Sequence, residues 1–348
     1  MPLNLNLDIE LSTNALAVEI GTTELKIVYG SKSKIKCFKT VKLSEQSLMD
    51  EKAADLDTIK LSIEEFIHTN NIRTKNIYFA IHGQDIFVRH TESPIMPEKA
   101  IRDSIEWEIG QTLPEGGEGH YIDFEIVQTI NTKEKKIYKL MVVAVPKERV
   151  DNLLTLSEEL NLKLQAVDIS ANCVSRVFKE AGKRYPAIGV INFGISTSSF
   201  IILEKGKLFI EREVPFGVNN IINEISRRTT MSAEAAVTYV KKELDFAIRN
   251  ENDEIQRRIQ TLFDNVFGSF IKVVQFYTTG KTQKELNQLY MIGAAKNLKG
   301  LPDFSKSYFN TNVELADSPA KLYRKINLPE GMDFISYLGP IGLLLRKE

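Results

Sequence analysis

Cysteine, histidine and tryptophan are scarce in this 348-residue chain, which contains two, four and one of them respectively. Cys37 and Cys173 lie far apart and do not form a CxxC pair, and the four histidines show no spacing suited to a tetrahedral metal site. A disulfide framework and a structural metal are therefore not expected.

The chain also lacks a strong net charge and a long apolar run. Its formal charge is −1 with both signs interspersed, so no surface field is expected to collect nucleic acid or an anionic membrane. No apolar run approaches the roughly 18 residues that span a bilayer, and residues 1–13 do not resemble a signal peptide. We expect a cytosolic globular protein long enough for two domains, with nucleic-acid binding as a minor alternative.

A glycine hairpin near the start is the first feature that suggests chemistry. An apolar strand ends before Gly21, Thr22 and Thr23, and a second apolar strand follows. Backbone N–H groups and hydroxyls at such a turn can cradle phosphate oxygens. The alternative is an ordinary hairpin with glycine at the bend.

The same pattern returns in the second half of the chain. Asn192 and Gly194 follow Glu19 and Gly21 at the same distance along the chain, since 192 − 19 and 194 − 21 both equal 173. Two weak motifs in register indicate an internal repeat. The two turns are predicted to hold a polyphosphate between them.

A third feature follows an apolar strand at residues 289–292. The small residues Gly293, Ala294 and Ala295 come next, and backbone N–H groups there could donate to the oxygens of a nucleotide. The alternative is a strand-to-helix junction that needs close packing.

Residues 82–165 are predicted to form a separate module with the order strand, helix, two strands, helix. Ile101, Ile105 and Ile109 mark one face of its first helix. Trp107 of that helix is predicted to pack in the core, with an interface position as the alternative.

Together these motifs resemble the actin-like ATPase superfamily. Residues 19–26 and 192–199 resemble its two phosphate hairpins, residues 292–301 its adenosine motif, and residues 167–171 and 337–342 its two connecting segments. The position of the module at residues 82–165 is similar to that in the FtsA branch. Residues 105–114, which include Trp107, and residues 142–149, with Pro146, resemble the PilM family of type IV pilus assembly proteins.

This resemblance implies an α/β chain with a duplicated, actin-like (ribonuclease H-like) two-domain ATPase fold and an FtsA-type inserted 1C module. The implied boundaries are 1–81, 166–185 and 336–348 for the domain 1 core, 82–165 for the inserted module, 186–229 and 286–335 for the domain 2 core, and 230–285 for a helical part of domain 2.

The resemblance also implies ATP and Mg²⁺ as cofactors, with residues assigned by position. Gly21, Thr22, Thr23 and Lys26 are expected to face the β- and γ-phosphates, and Gly194, Ser196 and Thr197 to close on them from domain 2. Gly217 is expected under the ribose and phosphates, Gly293, Ala294 and Asn297 behind the nucleoside, and Glu19 on Mg²⁺ through water.

The chain departs from the superfamily where the chemistry would occur. Glu19 and Asn192 stand where an aspartate is usual. They are weak candidates for catalysis, and no other residue is assigned a catalytic role. Val237 and Val240, with Lys241 one place late, stand where relatives present Glu and Lys, and Ala295 replaces a glycine. Because phosphoryl transfer depends on placed charge and metal, we expect at most a weak ATPase.

The implied function is capture of the cytoplasmic N-terminal segment of the membrane protein PilN, in a groove between residues 77–83 and the inserted module. ATP occupancy is expected to set domain closure at the inner face of the membrane, with other pilus proteins as partners and weak self-association. The alternatives are a nucleotide-free actin-like scaffold of a secretion or pilus system and an FtsA-like filament-forming protein. The ending at residues 343–348, with no amphipathic helix after the second connecting segment, argues against the latter.

Overall fold

Three β-sheets organise the chain in the computed structural model, which describes residues 14–21, 23–43, 56–83, 85–132, 135–248, 254–279 and 284–346. The expectations for residues 1–13, for Thr22 and for the end of the chain at 347–348 lie outside the described residues. The strands are β1 (Ala15–Ile20), β2 (Glu24–Gly30), β3 (Ile35–Lys42), β4 (Asn76–Ile81), β5 (Phe87–Pro94), β6 (His120–Asn131), β7 (Lys136–Pro146), β8 (Lys163–Ile169), β9 (Ala187–Phe193), β10 (Ser198–Glu204), β11 (Lys207–Val214), β12 (Gln288–Gly293) and β13 (Val313–Leu315). The helices are α1 (Leu56–Thr69), α2 (Glu98–Gly110), α3 (Lys147–Glu159), α4 (Ser170–Phe178), α5 (Val218–Arg228), α6 (Ala233–Lys242), α7 (Glu254–Thr278), α8 (Leu301–Phe309) and α9 (Leu338–Leu344).

The first sheet has the strand order β3-β2-β1-β4-β8. β1 and β2 are antiparallel and joined by a tight turn, in which the N–H of Gly21 donates to the carbonyl oxygen of Glu24 at 2.9 Å. β1, β4 and β8 are parallel, so long crossover segments connect them. Their apolar runs suit strands that are covered on both faces.

The second sheet repeats this plan in the order β11-β10-β9-β12-β13. The N–H of Gly194 donates to the carbonyl oxygen of Thr197, again at 2.9 Å. Both partners stand 173 residues after those of the first turn, since 194 − 21 and 197 − 24 both equal 173. The duplicated α/β fold predicted from the sequence is confirmed.

The third sheet belongs to the segment between β4 and β8. Its order is β5-β7-β6 with antiparallel neighbours, and β5, α2, β6, β7 and α3 follow the predicted order strand, helix, two strands, helix. Ile101, Ile105 and Ile109 of α2 are buried against this sheet together with Leu140 and Val142 of β7.

The prediction that Trp107 packs in the core is wrong, because its side chain is 70% exposed. Ile105 and Ile109 lie one helical turn apart on the buried face of α2. Trp107 lies midway between them, about 200° around the helix from each, and therefore faces away from the sheet.

Two helices lie between the five-stranded sheets. α4 and α9 share one apolar cluster with both sheets, to which Ala17 of β1 and Ile201 of β10 contribute. On the outer faces, α1 and α3 cover the first sheet. α7 covers the second through an aromatic cluster in which the rings of Phe193 and Phe263 lie 5.6 Å apart. None of the helices in the described ranges has the length and apolar character to cross a bilayer.

A buried carboxylate fastens the end of the chain to this layer. Asp168, at the end of β8, is only 9% exposed. Its carboxylate accepts from Arg176 at 2.5 Å and from Arg346 at 2.7 Å, while its other oxygen accepts from the N–H of Ile169 at 2.9 Å. These partners offset the cost of burying the charge.

The contact between α4 and α9 leaves no room for a side chain at Gly342. A Cβ there would lie 2.5 Å from the carbonyl carbon and 2.8 Å from the Cα of Cys173. We expect Gly342→Ala to push the helices apart and lower the free energy of unfolding by about 1–3 kcal/mol, measured by denaturant unfolding.

The matched control is Gly268→Ala in α7, where a Cβ would meet no atom within 4 Å. This change is expected to stabilise the helix by up to about 1 kcal/mol, because alanine has the higher helix propensity. Equal shifts of the unfolding midpoint for the two variants would contradict the packing argument.

Candidate functional site

The two glycine turns face each other across one cleft. Its cavity has a volume of about 320 Å³ and is lined from both five-stranded sheets. Ten residues predicted for the nucleotide site line it: Glu19, Gly21, Thr23, Lys26, Asn192, Gly194, Thr197, Gly293, Ala294 and Asn297. The sequence repeat therefore becomes a pair of turns on opposite walls of one site.

Two predicted residues are not among those that line this cavity, namely Ser196 and Gly217. Gly217 instead supports the second turn from behind, because a Cβ there would lie 2.6 Å from the backbone N of Ser196. Its N–H donates to Asn220 Oδ1 at 2.8 Å at the start of α5. Their contacts to a nucleotide stay predictions.

Three residues near the expected nucleoside side depart from the superfamily pattern, namely Val237, Val240 and Lys241. Val240 is 2% exposed and packs in the core of the second sheet, so it does not face the cleft. Val237 is half-buried and Lys241 is exposed. The charge of Lys241 helps to lower the pKa of Lys296, but Lys241 does not line the cavity.

Matching rows of side chains cross the two sheets. In the first sheet, Glu19 is opposite Lys26, which is opposite Thr40. In the second, Asn192 is opposite Ser199, which is opposite Glu213. Residues directly opposite each other share a face of the sheet, and 213 − 40 is again 173. The charged positions differ between the two rows. They are Glu19 and Lys26 in the first row and Glu213 in the second.

The Glu19 carboxylate already has partners in the cleft. It accepts from the hydroxyl of Ser170 at 3.1 Å and lies 3.8 Å from the Lys26 ammonium. Its side chain is 16% exposed, and Gly339 leaves the space it fills, because a Cβ at that glycine would clash with the carboxylate.

Glu211 and Glu213 add an acidic pair to the site that sequence reasoning missed. Burial raises the pKa of Glu211 to about 7, with the charge of Glu213 adding to the rise and the Ser199 hydroxyl opposing it. Burial also raises the pKa of Glu213, opposed by His82. The sequence signal for Glu213 was its offset of 173 residues from Thr40, which places the two residues at equivalent strand positions.

Lys296 is a third residue that could not be identified from the sequence. It follows Gly293 in the short 3-10 turn Ala294–Asn297, and its ammonium donates to Asp333 and to Ser336 Oγ, the latter at 3.3 Å. Burial lowers the pKa of Lys296, and the charge of Lys26 lowers it further. The cleft thus contains charges of both signs, with Lys26 and Lys296 among several glutamates.

The residues of the cleft fit a magnesium ion only through water and phosphate. In the described part of the chain, no group of three or more His, Cys, Asp and Glu side chains could hold a metal ion. Glu19 is a carboxylate beside the phosphate turns, and Asn192 offers a neutral amide. Mg²⁺ is often bound by one or two carboxylates with waters and substrate phosphates, and Glu19 fits that arrangement.

A second cavity of about 520 Å³ adjoins the cleft. It lies between the end of β4, the start of β5 and β11, and its apolar wall includes Ile81, Ile86 and Val88. Arg149 of α3 holds this junction, since it donates to Asp85 at 2.6 Å and to the carbonyl oxygen of His82 at 3.0 Å. This cavity therefore has one apolar wall and one charged wall, the latter from β11. The groove between residues 77–83 and the inserted module stays a prediction.

Solved structures with a similar fold come from several cellular systems. The chain is 19% identical to a chain of the PilM-PilN type IV pilus biogenesis complex, with a TM-score of 0.79 over 96% of this chain and 98% of that one. The ethanolamine utilization protein EutJ of Carboxydothermus hydrogenoformans is 13% identical, with a TM-score of 0.52 over 96% of this chain and 89% of that one. MreB 5 of Spiroplasma citri bound to AMPPNP is 8% identical, with a TM-score of 0.52 over 94% of each chain. The predicted actin-like ATPase fold is confirmed.

The sequence itself matches a family. The profile described as type IV pilus assembly protein PilM covers residues 17–347, which is nearly the whole chain. The chain therefore belongs to the PilM family of type IV pilus assembly proteins.

Proposed function

We propose that this protein is a nucleotide-binding scaffold of the type IV pilus machine that holds the cytoplasmic N-terminal segment of a PilN-like membrane protein. It would act in the cytoplasm at the inner face of the membrane, through its partners. The observation that carries the nucleotide part is the pair of glycine turns on opposite walls of one cleft. Family membership and the PilM-PilN complex among the similar structures support the partner.

The cleft suits a nucleoside triphosphate through backbone contacts. Gly21 and Gly194 carry no side chain, so phosphates can approach the main chain closely at the two turns, with the hydroxyls of Thr23 and Thr197 beside them. Lys26 supplies a cation for the phosphates. Mg²⁺ held by Glu19 through water would neutralise further phosphate charge. Gly293 and Ala294 form a flat wall of backbone for the nucleoside.

The positions beside the two turns, where the superfamily usually has aspartates, are poorly equipped for fast hydrolysis. Asn192 is an amide that cannot take a proton from water, and the Glu19 carboxylate is shared between Ser170 and Lys26. Phosphoryl transfer is accelerated by placed charge, so occupancy rather than turnover would set the closure of the two sheets on each other.

The peptide would lie in the groove that ends in the second cavity. The apolar side chains Ile81, Ile86 and Val88 line this cavity, and an extended segment that enters it can bury its own apolar side chains there. The salt bridge from Arg149 to Asp85 keeps the two walls together.

Nucleotide binding is tested by calorimetry with Mg-ATP and by phosphate release. We expect binding with a turnover well below about 1 per second, the lower end of ordinary enzymes. Turnover at or above that rate would overturn the slow-hydrolysis proposal. Absence of binding heat, with peptide binding intact, would replace it by the nucleotide-free scaffold.

The control for this test compares two lysines on neighbouring strands. Lys26→Gln removes a cation from the cleft and is expected to weaken ATP binding about tenfold. Lys39 is paired with Glu65 at 2.8 Å and is next to Thr40 on β3, so it faces the opposite side of that strand. Lys39→Gln is expected to leave ATP affinity unchanged.

Peptide binding is tested with the synthetic N-terminal segment of the PilN-like protein encoded with this chain. Ile86→Ser removes apolar surface from the cavity wall and is expected to weaken binding about tenfold. Ile248→Ser changes a residue that is 61% exposed and does not line the cavity, so it is the matched control. Wild-type protein that fails to bind the segment, with or without ATP, would remove the partner proposal.

The raised pKa of Glu211 gives nucleotide binding a pH dependence. Below pH about 7 this carboxyl is mostly protonated and neutral, whereas above it the anion faces the phosphates across the cleft. We therefore expect the affinity for ATP to fall as pH rises from 6 to 8, by about fivefold relative to Glu211→Gln.

The comparison with Glu211→Gln removes the titration of ATP itself, which is common to both proteins. Glu92→Gln changes a glutamate of the inserted module that pairs with Lys135 at 2.8 Å, and it is expected to keep the wild-type pH profile. Parallel profiles for wild type and Glu211→Gln would show that Glu211 does not face the nucleotide.

A further inference from the structure

An ion pair bridges the mouth of the nucleotide cleft. Lys296 follows β12 on the wall of the second sheet, and its partners Asp333 and Ser336 lie just before α9. Both Lys296 and Ser336 line the cleft. The ammonium therefore lies in the cleft, close enough to Lys26 for their charges to repel each other, and is held by a carboxylate from the other side.

The segment that carries Asp333 is attached to the first sheet. The N–H of Ile35 at the start of β3 donates to the carbonyl oxygen of Asn327 at 2.9 Å. The hydroxyls of Tyr337 and Thr40 lie 2.6 Å apart, and the ring of Tyr337 packs edge-on against Phe38. The pair between Lys296 and Asp333 thus connects the second sheet to a segment fixed on the first.

The electrostatic surroundings make this lysine ready to exchange its partner. Its side chain is 32% exposed, and burial together with the charges of Lys26 and Lys241 disfavours its ammonium form, opposed by Glu24. Lys26 is 3.8 Å from the Glu19 carboxylate. A polyanion that enters the cleft relieves the repulsion among these cations, which a single carboxylate at the rim cannot do as well.

We propose that Lys296 binds the phosphates of the nucleotide and that Asp333 competes with the nucleotide for this ammonium. The inference rests on the proposed nucleotide site. The ion pair links the two sheets, and an arriving polyphosphate draws Lys296 away from Asp333. Binding of a polyphosphate in the cleft thereby frees Asp333 and changes the contacts of the segment before α9, the helix that packs between the sheets.

The two partners of the pair differ in the sign of their predicted effects. Lys296→Gln removes a phosphate ligand and is expected to weaken ATP binding about tenfold. Asp333→Asn keeps the shape of the side chain but removes the competing charge, and is expected to tighten ATP binding about threefold. In the Lys296→Gln background, Asp333→Asn is expected to have no further effect.

Ser336→Ala serves as a second variant with an intact ion pair. The Ser336 hydroxyl donates to Asp333, and its loss weakens the hold on the carboxylate, so a smaller tightening is expected. Asp317→Asn is the matched control, because Asp317 forms an exposed pair with Lys321 at 2.8 Å and does not line the cleft. It is expected to leave ATP affinity unchanged.

The measurement is calorimetric titration of each variant with ATP and with adenosine. Adenosine lacks phosphates, so its affinity is expected to be the same in wild type and Asp333→Asn. ATP binding that weakens in both Lys296→Gln and Asp333→Asn would identify a purely structural ion pair and overturn the inference alone. Wild-type protein that does not bind ATP would overturn the proposed nucleotide site and this inference with it.

Discussion

The close contact of α4 with α9 sets the separation of the two five-stranded sheets, and the geometry of the cleft depends on this distance. Gly342 allows α9 to touch the backbone of α4 at Cys173, and Gly339 leaves space for the carboxylate of Glu19. Asp168 then binds Arg176 of α4 and Arg346 beyond α9 at the same point. A shift of either helix would therefore change both walls of the cleft together.

Within this frame, the duplicated halves have kept their backbone and diverged in charge. The two turns make the same hydrogen bond at the same length. The first half places Glu19 and Lys26 beside its turn, whereas the second half has the neutral Asn192 and Ser199 there and an acid at Glu213. Contacts made by the backbone are insensitive to such divergence, whereas any interaction that depends on a placed carboxylate changes with it.

Much of this arrangement could be predicted from the sequence, because turns and repeats leave local signals. The glycines at 21 and 194 and their common offset predicted two turns, and isoleucines spaced by four predicted the buried face of α2. Trp107 was assigned to the core from its residue type, although its position on the helix places it outside. Lys296 and Glu211 could not be found locally, since their roles depend on Asp333 and on burial between sheets, which only the folded chain creates.

The proposed nucleotide and peptide sites meet at a shared wall. His82, Ser170, Ala171, Glu211 and Glu213 line both cavities. An occupant of either proposed site would change the solvation and the neighbouring charge of the same two carboxylates, whose pKa values burial has already raised. The two sites can then be coupled directly, because one set of side chains lines both. Any such energetic effect is reciprocal.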